Sequence, residues 1–225
     1  MSVDIISIPL GFCQCYVLKG EGIVVLDSGV SKKGAVFTRI LKEKGIRFED
    51  VNLVILTHGH YDHIGSASEI KSLTGASLAM HKAEAHWLEN SLTPLPPGIT
   101  VWGKIFIRLN SLFMPFIKIP PSEVDLILDD EGLSLADCGI PGQVVYTPGH
   151  SSGSVSVLLD SGEAFVGDLA MNKFPLCVSP SLPIFAEDPS AVISSWKKLI
   201  KLGASKVYPA HGKPFPISFI QKAIS

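Results

Sequence analysis

A short apolar strand that runs straight into a cluster of histidines leaves a chain few folds. Residues 51–56 read as a buried strand, and Thr57-His58-Gly59-His60-Tyr61-Asp62-His63 follows without a break. A helical pattern then runs from about residue 63 to 73. Four ligand-type side chains thus lie within six positions, between a rigid strand and a helix start. His58 and His60 are two apart at a strand end, so their imidazoles leave on one side. Asp62 and His63 fall at the helix N-terminus, where an anion is favoured. Neutral imidazole and carboxylate are ordinary ligands for a borderline divalent metal such as zinc. One tetrahedral ion cannot easily take all four from so short a segment, whereas two ions side by side can.

The same device recurs downstream. Thr147-Pro148-Gly149-His150 follows a strand ending at Tyr146, Gly167-Asp168 follows a strand over 164–166, and Tyr208-Pro209-Ala210-His211-Gly212 follows the last strand. Each time a strand delivers a ligand-type residue and Gly or Pro shapes the turn. The candidate metal ligands are therefore His58, His60, Asp62, His63, His150, Asp168 and His211. Of the seven histidines, His81 and His86 remain, and they read as surface or packing residues. No separate nucleophile stands out, and Ser151 and Ser152 read as turn residues.

Around these motifs, strands are expected over 3–8, 16–18, 23–26, 77–80, 125–128, 143–147 and 154–159, and helices over 32–44, 82–90 and 189–202. Two strand-rich halves each close with helices. This order fits an α/β chain, a four-layered sandwich in one domain over 1–225, and periodicity alone does not separate it from other α/β folds. Residues 92–121 interrupt it. After Thr93-Pro94-Leu95-Pro96-Pro97-Gly98, apolar residues from Trp102 to Ile117 recur at helical spacing, with Lys104, Arg108, Ser111 and Lys118 on the other side. The segment reads as a core helix, a lid walling a pocket, or, through 101–119, a membrane-surface or oligomer contact.

Composition closes off other classes. The chain has 225 residues, 19 Lys+Arg, 21 Asp+Glu, a net charge of −2 and 46% apolar residues. That is too apolar for a disordered chain, long enough for a sizeable core, and without the basic excess of a nucleic-acid binder. Four cysteines make no disulfide framework. Cys13 and Cys15 read as half-buried strand residues, and Cys138 and Cys177 as buried thiols. The N-terminus lacks the pattern of a signal peptide and no apolar run reaches membrane-spanning length, so the expected location is cytoplasmic.

In the order Asp27, His58–His63, His150, Asp168 and His211, the chain resembles the metallo-beta-lactamase-fold hydrolases over nearly its whole length. The resemblance implies a four-layer αββα sandwich with a site for two divalent ions at the edge of the paired sheets, zinc by default with iron or manganese as alternatives. One would sit on His58, His60 and His150, the other on Asp62, His63 and His211. Asp168 would bridge them and Asp27 would stand behind. It also implies a bridging hydroxide directed at a small-molecule substrate, with Asp62 orienting it and passing a proton to the leaving group. Class B1 beta-lactamases carry Cys in place of Asp168 and class B3 enzymes generally lack a bridging Asp, which points away from beta-lactams. The stretches Thr147–Ser154 and Phe165–Asp168 are similar to glyoxalase II, yet the basic stretch after its bridging Asp and its helical C-terminal domain are missing. The reading is then a hydrolase of a small ester, thioester or lactone with a lipophilic acyl part. The alternatives are a phosphodiesterase, or a mononuclear iron oxidoreductase like the persulfide dioxygenases, which share the motif.

Overall fold

Alternation along the strands sorts side chains onto two faces, and both faces are covered. The computed structural model describes residues 2–225. Its first half runs β1 (Asp4–Leu10), β2 (Cys13–Lys19), β3 (Ile23–Leu26), α1 (Gly34–Glu43), β4 (Val51–Ile55), α2 (Tyr61–Ile64), α3 (Ala67–Thr74), β5 (Ser77–His81), α4 (Ala85–Glu89), α5 (Val101–Ser111) and β6 (Leu126–Leu128). The second half runs β7 (Leu133–Ser134), β8 (Gly142–Tyr146), β9 (Val155–Leu159), β10 (Glu163–Phe165), β11 (Met171–Asn172), α6 (Pro189–Lys201), β12 (Lys206–Tyr208), β13 (His211–Gly212), β14 (Phe215–Pro216) and α7 (Ser218–Ile224).

One sheet has the order β1-β2-β3-β4-β5-β6 and the other β14-β12-β10-β9-β8-β7, while β11 and β13 form a separate pair. The strands β3 to β6 are mutually parallel and β10 is parallel to β12. Along β2, Cys13, Cys15 and Val17 pack with Phe37, Leu41 and Ile70 of α1 and α3, while Tyr16 and Leu18 face the second sheet. Along β9, Val155, Val157 and Leu159 enter the layer between the sheets, and Leu158 joins Trp196 and Leu199 of α6. Three apolar layers separate four layers of structure, giving the αββα sandwich expected. Each fully buried Val, Leu or Phe contributes about 1.5–3 kcal/mol. At one end of α6, Asp188 caps the helix by accepting from the Ser190 and Ala191 N–H groups, with Pro189 in the first turn.

Three details differ from expectation. The single helix over 63–73 is two, α2 and α3. The break comes at Gly65, whose N–H donates to the Gly29 carbonyl at 2.9 Å and where a Cβ would collide with the Val30–Ser31 backbone. Cys138 and Cys177 are only half-buried, because they sit in a short turn and a loop rather than in a layer. The third is α5. Its inward residues are Gly103, Phe106, Ile107 and Asn110, so apolar residues occupy both sides of the helix, and Trp102, Ile105 and Leu109 face outward. The inward side is held by the loop before α6: Ile99 N–H donates to Ile184 O, Ala186 N–H to Pro97 O, and Trp102 Nε1 to Pro175 O at 2.8 Å. Phe106 and Phe185 rings stand 5.5 Å apart. Among the described residues, no helix is long and apolar enough to cross a membrane.

Candidate metal centre

Parallel strands end on the same rim, and that rim collects the ligand-type residues. The ends of β3 and β4 place Asp27 and Thr57–His60. The first turn of α2 adds Asp62 and His63. From the second sheet, the turns after β8, β10 and β12 bring His150, Asp168 and His211. All seven expected ligands meet there, and all except the half-buried Asp62 are buried. His81 and His86 stay out: His81 stacks on Tyr146 with ring centroids 4.4 Å apart, and His86 is exposed. Ser151 closes its turn through Ser154, as expected of a turn residue.

Among the described residues, four overlapping groups have ligand atoms within 4.8 Å of one another: three join the two halves of the chain, namely His58, His60 and His150; His58, His63 and Asp168; and Asp62, His63 and His211; the fourth, Cys13, Asp27 and His63, lies behind them. His150 Nε2 lies 3.0 Å from His60 Nδ1. His211 Nε2 lies 3.3 Å from both Asp62 Oδ2 and Asp168 Oδ1. Asp168 Oδ1 also faces His63 Nε2 at 3.4 Å, and its Oδ2 faces His150 Nε2 at 3.6 Å. Two donors on one tetrahedral zinc stand roughly 3.3 Å apart, so these spacings fit shared ions. The two oxygens of Asp168 look toward different groups, Oδ1 toward His63 and His211 and Oδ2 toward His150. His58 Nε2, His63 Nε2 and Asp168 Oδ1 are buried without a hydrogen-bond partner. Such orphans are costly in a protein interior, and divalent cations bound among them would satisfy all three.

The far sides of the rings fix which nitrogen is free. His63 Nδ1 donates to Asp27 Oδ2 at 2.9 Å, His150 Nδ1 to Phe185 O at 2.9 Å, and His211 Nδ1 to Phe12 O at 3.1 Å. His58 Nδ1 lies 3.1 Å from Thr57 Oγ1, which donates to Asp27. These contacts leave Nε2 of these four rings as the inward-facing atom, while His60 turns Nδ1 inward, toward His150 Nε2. Asp27 is held by the Thr57 N–H and hydroxyl, at 2.8 and 2.9 Å, in a turn with φ +62°.

Electrostatics divides the cluster. Burial first, then neighbouring imidazoles, pushes His58 well below its ordinary value and His60 down to about 3. Burial also lowers His150. That trio is neutral and ready to bind metal. Burial opposes charge on His63 and His211 too, but there Asp27, Asp62 and Asp168 outweigh it and hold both rings well above the usual range. Conversely, burial would raise Asp168 and Asp62, yet the His211 and His63 charges keep both low. One half of the cluster is thus an uncharged nitrogen site and the other a mixed-charge site.

Sequence reasoning missed Glu84. This fully buried residue accepts the Gly59 N–H at 2.6 Å and the Gly153 N–H at 2.5 Å. It ties the His58–His60 turn to the loop after His150. A Cβ at Gly59 would strike the Trp87 ring, so glycine is what permits the approach. The sequence offered no sign beyond an acid in a polar stretch. Cys13, read as a half-buried strand residue in preference to half of a metal or redox pair with Cys15, is fully buried and lies 3.9 Å from His63 Nδ1.

A cavity of about 360 Å³ opens onto the cluster, walled by Phe12, Leu95, Phe106, Ile107, Leu176 and Phe185, with Lys173 the one Lys or Arg in its lining among the described residues. Of the 92–121 segment, Leu95, Phe106 and Ile107 face this cavity.

The sequence profile of the metallo-beta-lactamase superfamily matches residues 8–211, from β1 through the last ligand. An uncharacterised protein of Mycobacterium tuberculosis (strain ATCC 25618 / H37Rv) is 31% identical over 156 residues, covering 67% of this chain and 63% of that one, so the match spans less than two thirds of that relative. A metallo-beta-lactamase fold-containing protein of Sulfurisphaera tokodaii is 30% identical over 217 residues, covering 92% of this chain and 77% of its own. A probable metallo-hydrolase of Bacillus subtilis (strain 168) is 24% identical, covering 86% and 76%. Among solved structures, the B3 metallo-beta-lactamase BLEG-1 superposes with TM-score 0.70 at 24% identity over 97% of both chains, a likeness of fold. The profile spans every residue of the cluster and the sandwich carries it at the expected rim, so the chain belongs to the metallo-beta-lactamase superfamily.

Proposed function

We propose that the protein is a hydrolase that holds two divalent ions, zinc foremost, and acts on a small ester, thioester or lactone with a lipophilic acyl part. The reading rests on one observation: orphaned ligand atoms of a seven-residue cluster open onto an apolar cavity. His58, His60 and His150 would hold one ion, Asp62, His63 and His211 the other, with Asp168 shared. Bound there, the ions supply a polarised scissile carbonyl and a water acidic enough to attack near neutral pH.

The chain's own residues do the rest. Asp168 presents one oxygen to each group and fixes their separation. Asp27, Phe185 O and Phe12 O hold the imidazoles in the tautomer that leaves Nε2 free. Asp62 is the most exposed of the cluster's side chains and lines the cavity, so it can take a proton at its carboxylate and return it to the leaving group. Phe12, Phe106 and Phe185 exclude bulk water and bind an acyl chain.

Elemental analysis of protein purified without added metal is expected to give about two zinc ions per chain. A panel of lactones, thioesters and phosphodiesters is expected to show turnover that rises with acyl length. One iron per chain with little zinc, together with oxygen uptake on a persulfide, would sink the hydrolase reading. Turnover confined to phosphodiesters would move the substrate class.

A further inference from the structure

Beside the cavity, on the two segments that wall it, stands an apolar surface that no other described residue covers. On the outer side of α5 and just beyond it, Val101 is 79% exposed, Leu112 67%, Phe113 63% and Phe116 82%. Across the mouth, Phe174 is 80% exposed and Val178 96%. The two edges are joined, because Trp102 Nε1 donates to Pro175 O. Scattered exposed apolar residues are ordinary, but a contiguous aromatic rim is not.

Charge says what such a rim meets. Residues 91–122 contain Lys104, Arg108 and Lys118 and no acid, and residues 169–186 contain Lys173 and no acid. The molecule as a whole is net negative, so this is a local reversal. Along α5, Lys104 and Arg108 flank the exposed stripe of Val101, Ile105 and Leu112, the arrangement of a helix lying at a lipid–water boundary. A second copy of the chain fits poorly, since a two-fold contact would set these cations against their own duplicates.

We propose that this rim docks the protein on a bilayer surface bearing anionic headgroups, with the cavity mouth turned toward the lipid. Docking is a property of the surface and stands apart from the chemistry proposed for the cluster, so the test uses binding alone.

The full chain would be co-sedimented with phosphatidylcholine vesicles, with and without phosphatidylglycerol, at low and high salt. Binding is expected only with phosphatidylglycerol, and it should weaken with salt. The double variant Leu112→Ser/Phe116→Ser, outside the cavity lining, is expected to lower partitioning about tenfold or more. Lys104→Ser and Arg108→Ser should each lower it about fivefold. Melting temperature and metal content of these variants should match the parent. No partitioning at low salt, or equal partitioning to both vesicles, overturns the proposal. So does a dimer in sedimentation velocity that Leu112→Ser/Phe116→Ser dissociates, which would give the rim to a second copy.

Discussion

Asp27 shows how a residue that touches no substrate can decide which atom does. Its carboxylate accepts from the Thr57 N–H, the Thr57 hydroxyl and His63 Nδ1. In Asp27→Asn the turn is tolerated, because Asn accepts a positive φ. The amide, however, turns an N–H donor toward either Thr57 or His63. Facing His63, it favours the tautomer with its proton on Nε2, the ring atom that looks into the cluster. With the amide facing His63, the Thr57 hydroxyl keeps its acceptor, and the expected result is a 10–100-fold loss of affinity, on the order known for such supporting partners, chiefly at the ion proposed for His63. Competition with a chromophoric chelator would read it as a split of two similar sites into one strong and one weak. Two equally weakened sites would contradict the assignment of His63 to a single ion. Asp27 was visible in the sequence as a turn residue near a motif. Its three partners were not, because they come from positions 30 and 36 residues away.

Glu84, at the start of α4, joins two loops that arise from different sheets. Both of its oxygens accept backbone N–H groups, and burial raises its pKa while those bonds pull it down. Glu84→Gln keeps the shape but replaces one acceptor by an N–H donor, which then faces a backbone donor. Such a buried mismatch costs about 1–3 kcal/mol. Metal affinity at the His58, His60 and His150 group should fall as well, since both ligand loops loosen. A lower melting temperature in the metal-free form, together with weaker zinc binding, is the expected pair of results. Unchanged zinc binding would make Glu84 a packing residue. The strand ends that carry ligands were legible because each motif is local: an apolar run followed by Gly, Pro and His or Asp. Glu84 was not, because its partners Gly59 and Gly153 are contributed by tertiary structure. The faces of α5 were misread for a related reason. Periodicity marks an apolar stripe but not which way it points, and here Phe106 and Ile107 turn in while Ile105 and Leu109 turn out.

Over the whole molecule, protons compete with ions for the cluster. His63 and His211 have raised pKa values in the folded chain, so their contribution to stability is present at and below the unfolded histidine value and is lost as pH rises through the raised values. The depressed His58, His60 and His150 act oppositely, losing stability as pH falls below about 6.5. The chelated protein is therefore expected to melt highest near the ordinary histidine pKa and lower on either side. The metal-loaded protein should hold its melting temperature on the alkaline side, where protons no longer compete. A gap between the two forms that fails to widen with pH would contradict ligation by His63 and His211. The three ligand groups at the rim share one more property. Each draws two side chains from the first half of the chain and one from the second. An ion in any of them closes a long loop, as between His60 and His150, 90 residues apart. A metal bound there would be a cross-link as well as a reagent, fastening the two sheets at the end where the cavity opens, and its loss would unfasten the mouth together with the chemistry proposed for it.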